Sequence, residues 1–169
     1  IYLDGHQVTI RNPQDAIALG IAYVPENRDE EGIILNMEIF SNITLPILQQ
    51  FSTLGWLDKK AETRTASEYA QMLEIKSFGV QQRVISLSGG NKQKVSLAKW
   101  LASKSKIFLF DEPTKGIDVG TKASVHRFIS ELAAKGYGIV MISSELPEIM
   151  GMSDNILVMH EGLVKGYFA

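Results

Sequence analysis

Apolar and polar residues follow two distinct patterns along this chain, and each pattern predicts one type of element. In three stretches the apolar side chains return three or four residues apart, which is the spacing of one face of an α-helix. Helices are therefore predicted at Lys59–Glu74, Asn91–Ser103 and Thr121–Lys135. Three short apolar runs are bounded by glycine, proline or polar residues, which is typical of strands. Strands are therefore predicted at Ile21–Val24, Ile107–Phe110 and Gly138–Ile142.

Shorter elements lie between and after these. Two β-hairpins are predicted, at Tyr2–Val8 and at Ile156–His160 paired with Leu163–Tyr167. Asn12–Gly20 has a capping residue, a proline in the first turn and a final glycine, so it predicts a short helix. Ser143 or Ser144 is expected to cap another short helix that contains Pro147. The charged stretch Pro25–Gly32 is interpreted as a solvated loop.

The order of these elements indicates an α/β protein. A strand at Ile107–Phe110, a helix and a strand at Gly138–Ile142 form a βαβ unit, whose two strands lie parallel in one sheet. Residues 37–86 instead form a mixed helical stretch. Its first part carries a series of aliphatic and aromatic residues that are expected to lie mainly in the core: Phe40, Leu45, Ile47, Leu48, Phe51, Leu54 and Trp56.

The overall composition excludes several classes of protein. The formal net charge is −2, which gives no reason to expect a nucleic-acid surface. The sequence has no cysteine, so neither disulfides nor thiolate metal sites are possible. No apolar run approaches the ~20 residues that a membrane-spanning helix needs. Contact with a membrane is therefore expected only through a partner.

Two features in the middle of the chain suggest phosphate and metal chemistry. Ser88, Gly89 and Gly90 lead into a predicted helix, where free N–H groups and a partial positive charge can bind an anion. Asp111 and Glu112 follow the strand Ile107–Phe110, at the edge of a parallel sheet where ligands bind. Taken singly, each feature has a simpler explanation: a glycine turn that links two elements, and acids that cap the next turn.

In sequence order these features resemble the ATPase domain of ABC transporters. Leu87–Asn91 is similar to the family's LSGGQ signature, with asparagine in the last place, and Ile107–Glu112 is similar to its Walker B strand. Lys115–Asp118 occupies the position of the D-loop. Three further segments resemble the second ATPase domain of fused two-domain ATPases from ribose, galactose and xylose importers: Val24–Arg28, Gly116–Gly120 and Ser143–Glu148.

The resemblance implies roles for individual residues. Asp111 would hold Mg²⁺, and Glu112 would be the general base that polarises the attacking water. The signature residues Ser88, Gly89, Gly90 and Asn91 would bind the γ-phosphate of a nucleotide held by the opposite domain. Asp118 would communicate across the domain interface as the D-loop aspartate. It could equally be a helix cap, and both interpretations remain open from the sequence.

Two positions depart from the family pattern. Glu26 stands where the Q-loop has glutamine; a carboxylate can bind Mg²⁺, so Glu26 is a candidate metal ligand as well as a coupling residue. Ser144 stands where a histidine contacts the γ-phosphate, and serine is short and never cationic. The site built on Asp111 and Glu112 is therefore expected to be slow or inactive. The three histidines of the chain lie elsewhere and are interpreted as ordinary surface residues: His6, His126 and His160.

The resemblance also implies a domain organisation. The fold would be the P-loop NTPase core of an ABC ATPase, with a helical subdomain at residues 37–86 between core segments at 1–36 and 87–169. Apolar residues of that subdomain would then also supply docking surface for a permease. The sequence contains no GxxxxGK[ST] phosphate loop, so the chain is expected to be a fragment that starts downstream of it.

As a whole, the resemblance implies an ATP-binding and ATP-hydrolysing subunit of a sugar importer that uses MgATP. The implied partners are a second ATPase domain, transmembrane permease subunits and, indirectly, a sugar-binding protein, at the cytoplasmic face of the membrane. One alternative is a coupling half that lends its signature to the partner site and hydrolyses little itself. Another is a soluble ABC protein of DNA repair or translation. The 61 residues from Glu26 to Leu87 leave too little room for the long coiled coil of repair members.

Overall fold

A three-stranded parallel sheet forms the centre of the protein, as seen in a computed structural model that describes residues 1–169. Its strands are β3 (Ile21–Val24), β6 (Ile107–Asp111) and β7 (Gly138–Ile142), in the order β3-β6-β7. Ile21 pairs with Ile107, and Ile107 pairs with Gly138, with all strands parallel. Helix α5 (Val119–Ala134) connects β6 to β7, so the predicted βαβ unit and its parallel strands are confirmed.

A helical layer covers this sheet. Helix α2 (Ile39–Thr44) packs against α3 (Lys59–Met72) and α4 (Gly89–Ala102), and α4 also contacts β3. Phe108 and Phe110 of β6 are fully buried, and their rings stack 5.8 Å apart. One continuous cluster of 21 buried apolar residues extends from the sheet into α2, α3 and α4. The proposed division at residues 36 and 86 therefore crosses a shared core.

Three short hairpins, two short α-helices and two 3₁₀-helices complete the fold; the 3₁₀-helices span Leu45–Phe51 and Val84–Ser86. The hairpins are antiparallel: β1 (Tyr2–Leu3) with β2 (His6–Gln7), β4 (Ser52–Thr53) with β5 (Trp56–Leu57), and β8 (Ile156–His160) with β9 (Leu163–Phe168). The short helices are α1 (Pro13–Ala18) and α6 (Leu146–Met152). None of the helices combines the length and the apolar character that crossing a bilayer requires.

Two local predictions are wrong. The stretch Pro25–Gly32 contains a π-helical turn at Arg28–Gly32, closed by the Ile33 N–H on the Arg28 carbonyl at 2.9 Å. Contacts with distant segments hold this turn, so its own composition does not reveal it. Helix α6 has Glu145 as its N-cap, without a side-chain capping bond. The Ser143 hydroxyl instead accepts from the Glu145 N–H at 3.0 Å, before the helix begins.

The apolar series of the helical stretch lies only partly in the core. Ile47 is buried, and Phe40 and Phe51 pack against the core from its edge. Leu54 and Trp56 are 97% and 83% exposed, because they lie at the turn and on the second strand of the β4–β5 hairpin. Leu45 is exposed as well. For these three residues the prediction of a core position is wrong.

Candidate functional site

The start of helix α4 is an uncapped helix terminus. Ser88 is the N-cap residue but makes no side-chain capping bond, and the first turn contains no acidic residue. Asn91 is fixed at both ends of its amide: its oxygen accepts from the Lys76 N–H at 2.8 Å, and its Nδ2 donates to the Ser88 hydroxyl oxygen at 2.9 Å. Because that oxygen accepts from Asn91, the Ser88 hydroxyl proton is free to point elsewhere.

Both signature glycines lie against other segments. A Cβ on Gly89 would be 3.0 Å from Nη2 of Arg28, and one on Gly90 would be 2.7 Å from Cγ2 of Thr121. Any larger residue would have to displace these neighbours. The glycines therefore allow the Arg28 guanidinium and the first turn of α5, which contains Thr121, to approach the helix start closely.

Arg28 lies at this site, a position that the sequence analysis does not predict. Its Nη1 donates to the Lys115 carbonyl at 3.2 Å, and its Nε is buried without a partner. The neighbouring Asp29 pairs with Lys92 of α4 at 2.6 Å and is 3.9 Å from the Arg28 Nε. Two cations and one carboxylate therefore lie beside a helix end that is itself partly positive, an arrangement that attracts anions.

The second group of predicted residues meets at the carboxyl edge of the sheet. Asp111 is the last residue of β6, and its Oδ2 accepts a hydrogen bond of 2.9 Å from the Tyr23 hydroxyl on β3. That bond is the main reason why the pKa of Tyr23 is raised. The Glu112 Oε1 accepts from the Ser144 backbone N–H at 2.7 Å. The structure therefore brings Asp111, Glu112 and Ser144 together, with Ser144 contributing its backbone.

Glu112 has an unusual backbone conformation. Its φ is +45°, in the left-handed region that non-glycine residues rarely adopt. Its N–H donates to the Ile142 carbonyl at 2.9 Å, and its own carbonyl accepts from the Lys115 N–H at 3.1 Å. Such strain persists only where surrounding contacts hold it, and it is frequent at functional sites.

Glu26 follows β3 and is already paired. Its Oε1 lies 2.5 Å from Nζ of Lys115, and this bond is the main reason why the pKa of Lys115 is raised. No cluster of three potential metal ligands occurs in the chain. Mg²⁺, however, usually takes only one or two carboxylates and completes its shell with phosphate and water oxygens. Asp111, whose Oδ1 makes no bond within the chain, together with Glu26 fits that donor set.

Asp118 is a helix cap. Its Oδ1 accepts from the Thr121 N–H at 3.0 Å, and its Oδ2 accepts from the Thr121 hydroxyl at 2.6 Å. The hydroxyl bond, followed by backbone N–H groups, holds the pKa of Asp118 below its usual value. Of the two interpretations left open by the sequence, the cap is therefore present. A role across a domain interface stays a prediction.

One of the three histidines is not an ordinary surface residue. His126 contacts Glu148 at 2.5 Å between Nε2 and Oε1, and the Glu148 side chain is only 2% exposed. The prediction was wrong because the partner lies 22 residues away, on a helix with no other buried residue. A glutamate at helical position three of α6 carries no sequence signal of burial. His160, by contrast, is 70% exposed.

Both the sequence and the fold of this chain match one known protein family. Residues 1–115 match the family model described as "ABC transporter". The fold is that of ATP-binding cassettes: a nucleotide-free cassette from an ABC transporter superposes with a TM-score of 0.81 at 20% identity, covering 98% of this chain and 67% of that one. A dimeric post-hydrolysis cassette bound to ADP and Pi gives 0.78 at 20% identity, covering 99% and 71%. The chain belongs to the ABC transporter family.

Relatives with curated names are sugar import proteins. The chain is 54% identical over 166 residues to the ribose import ATP-binding protein RbsA 2 of Rhizobium johnstonii, covering 98% of this chain and 32% of that protein. It is 48% identical over 168 residues to the xylose import ATP-binding protein XylG of Geobacillus kaustophilus, covering 99% and 33%. The chain thus spans about a third of the length of these relatives.

Proposed function

We propose that this chain is part of the ATP-binding subunit of a sugar importer, in which MgATP hydrolysis drives uptake. The observation that carries the proposal is the pair Asp111 and Glu112 at the carboxyl end of the central strand, with the Ser144 N–H on the Glu112 carboxylate. Names of relatives such as the ribose and xylose import proteins support sugar as the cargo class.

The start of α4 would bind the γ-phosphate of a nucleotide held by a second ATPase domain. Support comes from the uncapped N–H groups, the free hydroxyl proton of Ser88 and the guanidinium of Arg28 beside Gly89. An anion placed there would relieve the repulsion between the cation and the positive helix end. Asn91 would act by orienting Ser88.

Asp111 and Glu26 would hold Mg²⁺, which supplies charge neutralisation between the phosphate oxygens. Glu112 would accept the proton of the attacking water, and the Ser144 N–H would fix the Glu112 carboxylate in the correct orientation. The Tyr23 hydroxyl would orient Asp111 through its hydrogen bond to Oδ2. The transmembrane permease, the sugar-binding protein and a location at the cytoplasmic face of the membrane are part of the same proposal.

The test is Gly89→Asp in the whole transporter. The new carboxylate would lie within reach of Arg28 and repel the phosphate, so sugar transport should fall at least about 100-fold while the fold persists. Gly151→Asp adds the same charge to helix α6, where nothing lies within 4 Å, and should leave transport unchanged. Near-normal transport by a well-folded Gly89→Asp variant would overturn the assignment.

A second candidate is a coupling half that hydrolyses little ATP itself. Ser144 favours this candidate, because only its backbone N–H contacts the Glu112 carboxylate and its side chain is not cationic. On this view Glu112→Gln should lower total ATPase less than the same change in the partner domain. Ser88→Ala, which affects the other site, should cost roughly 10- to 150-fold, the worth of one hydrogen bond to a charged group. Steady-state ATPase rates of the three variants test this candidate. If Glu112→Gln is the most impaired of the three, the two ATP sites are not unequal in the proposed sense.

The 169-residue chain on its own should bind MgATP weakly and hydrolyse none measurably, because its sequence contains no phosphate loop with its lysine. Calorimetry that finds micromolar, Mg²⁺-dependent affinity for ATP would contradict this expectation.

A further inference from the structure

Glu148 of helix α6 is the one buried residue after Leu132. Its Oε1 accepts from the Thr114 hydroxyl at 2.8 Å and contacts His126 Nε2 at 2.5 Å. Thr114 follows the strained Glu112 by two residues, His126 belongs to α5, and α6 begins two residues after Ser144. One carboxylate thus joins the loop that carries Glu112, the helix behind it and the segment that carries Ser144.

The Glu148 carboxylate is ionised in this setting. Burial alone would raise its pKa, but side-chain hydrogen bonds such as those from His126 and Thr114 outweigh burial and hold the pKa below its usual value. Both of these bonds reach Oε1, whereas Oε2 is buried without a hydrogen-bond partner. A further ion pair at this helix joins Lys122 of α5 to Glu145, the N-cap of α6, at 2.6 Å. A buried anion with several donors is fixed more rigidly than an apolar contact, because its bonds are directional.

Helix α6 is held by the Glu148 carboxylate and, among its apolar residues, by Met152, which packs against the core. Leu146 and Met150 of α6 are 65% and 68% exposed, so apolar packing of these side chains contributes little to its position. The segment Ser143–Glu145 lies directly before the helix and supplies the N–H that binds Glu112. Moving α6 would therefore move that N–H away from the carboxylate.

We propose that Glu148 is a positioning residue for the general base. By clamping Thr114 and α6 together, it holds the Ser144 N–H on Glu112 and maintains the left-handed backbone of Glu112. The catalytic part of this statement rests on the proposed function; the positional part does not, because it concerns one hydrogen bond within the chain.

Hydrogen exchange in the whole protein tests the positional part without nucleotide. Glu148→Gln keeps the shape but weakens the charge-assisted bonds, and Thr114→Val removes one donor at nearly constant volume. Each should speed exchange of the Ser144 amide by about tenfold or more. Thr114→Ser retains the hydroxyl and should restore slow exchange. Ile129→Val, a buried methyl deletion on α5, is the control for general loss of stability and should leave the Ser144 amide unchanged.

Steady-state ATPase of the same variants tests the catalytic part. Loss of orientation at Glu112 should lower kcat by about tenfold and leave KM for ATP unchanged, whereas Ile129→Val should change neither. Unchanged Ser144 exchange in Glu148→Gln and Thr114→Val, or equal acceleration by Ile129→Val, overturns the proposal. Accelerated exchange with unaltered kcat, in a transporter whose ATPase Glu112→Gln does lower, overturns its catalytic part. Absence of ATPase in the unmodified transporter would instead refute the proposed function, and the exchange data would still decide the role of Glu148.

Discussion

Residues 22–132 and residues 133–169 are built on different principles. The first region contains 32 of the 33 buried residues, including the rings of Phe108 and Phe110. The second contains one, the carboxylate-bearing Glu148. Its β8–β9 hairpin is antiparallel with one register shift between Val158 and Met159, and apolar side chains such as Leu157 and Phe168 are more than half exposed on it.

Functional groups in the two regions are held in place in different ways, by packing in the first and by hydrogen bonds in the second. The signature glycines and Asp111 lie on elements that share the main core, so packing fixes them. Ser144 lies on the poorly packed side, where its N–H reaches Glu112 through backbone register and a few polar side chains. A site between two such regions is therefore sensitive to loss of packing in the first region and to loss of hydrogen bonds in the second.

The two regions should differ most in how much stability they lose when an apolar side chain is truncated. Phe110→Ala should reduce the free energy of unfolding by about 3–5 kcal/mol, because the fully buried ring leaves a cavity. Leu157→Ala, at a residue that is 56% exposed, should cost less than about 1 kcal/mol. Urea unfolding of both variants gives the numbers. Equal losses would show that the hairpin is as well buried as the sheet, and the contrast would disappear.

The second-largest effect on stability should come from the charge of Lys99, which is buried in the packed region. Lys99 is 9% exposed, its Nζ lies 2.5 Å from the Gly32 carbonyl, and burial lowers its pKa to about 8. Between pH 8 and 10.5 the unfolded chain binds the proton more strongly than the folded one, so stability should rise with pH. Relative to Lys99→Met, the gain should reach about 3 kcal/mol by pH 10.5 and be absent below pH 8.

The same unfolding curves also show whether contacts of the charged Lys99 outweigh its burial. The Trp100 ring, 4.9 Å from the Nζ, and the Gly32 carbonyl both favour the charged lysine. If these contacts dominate over burial, the unfolding curves of Lys99→Met and the unmodified chain will run parallel with pH, and the core accepts a cation after all.

A smaller effect is expected at the contact between α4 and α5. Gly90→Ala places a methyl group 2.7 Å from Thr121 Cγ2, which should cost about 1–3 kcal/mol through overpacking. Adding Thr121→Ala removes the clash, so the double variant should lose less than the two single variants together. Additive losses in a double-mutant cycle would mean that the two helices separate freely at this point.

The smallest effect concerns the β4–β5 hairpin, the exposed exception within the packed region. Leu54→Ser and Trp56→Gln should each change stability by no more than about 0.5 kcal/mol, because both side chains are already in water. Ile47→Ala, at a residue 7% exposed, is the matched control and should cost about 2–5 kcal/mol. A large loss at Trp56 would place that ring in a packed contact.

The sequence predicted the long periodic elements well and the cross-chain contacts poorly. The strand Gly138–Ile142 was predicted with its observed bounds, and helices α3, α4 and α5 were predicted within two residues at each end. These elements are specified by spacing within one segment, which local inspection detects.

The missed features depend on pairs that are far apart along the chain. Tyr23 and Asp111 are 88 residues apart, and Arg28 reaches the Lys115 carbonyl across 87. Nothing in the neighbourhood of either residue marks the partner. The family resemblance predicts which residues form the site, from their order along the chain, and that assignment stays a prediction. It did not indicate that Asn91 orients Ser88 or that Ser144 uses its backbone.

The pairing of β3 with β6 has a consequence for how the chain acquires its structure. Ile21 is hydrogen-bonded in register opposite Ile107, so one edge of the central sheet cannot form until 86 further residues exist. At about 5–20 residues per second of synthesis, β3 waits roughly 4–17 s for its neighbour. Helices α2, α3 and α4 contact each other over shorter separations and can assemble first. The pairing of β3 with β6 therefore forms after these helices, and β3 spends the interval as an unpaired apolar strand exposed to other chains.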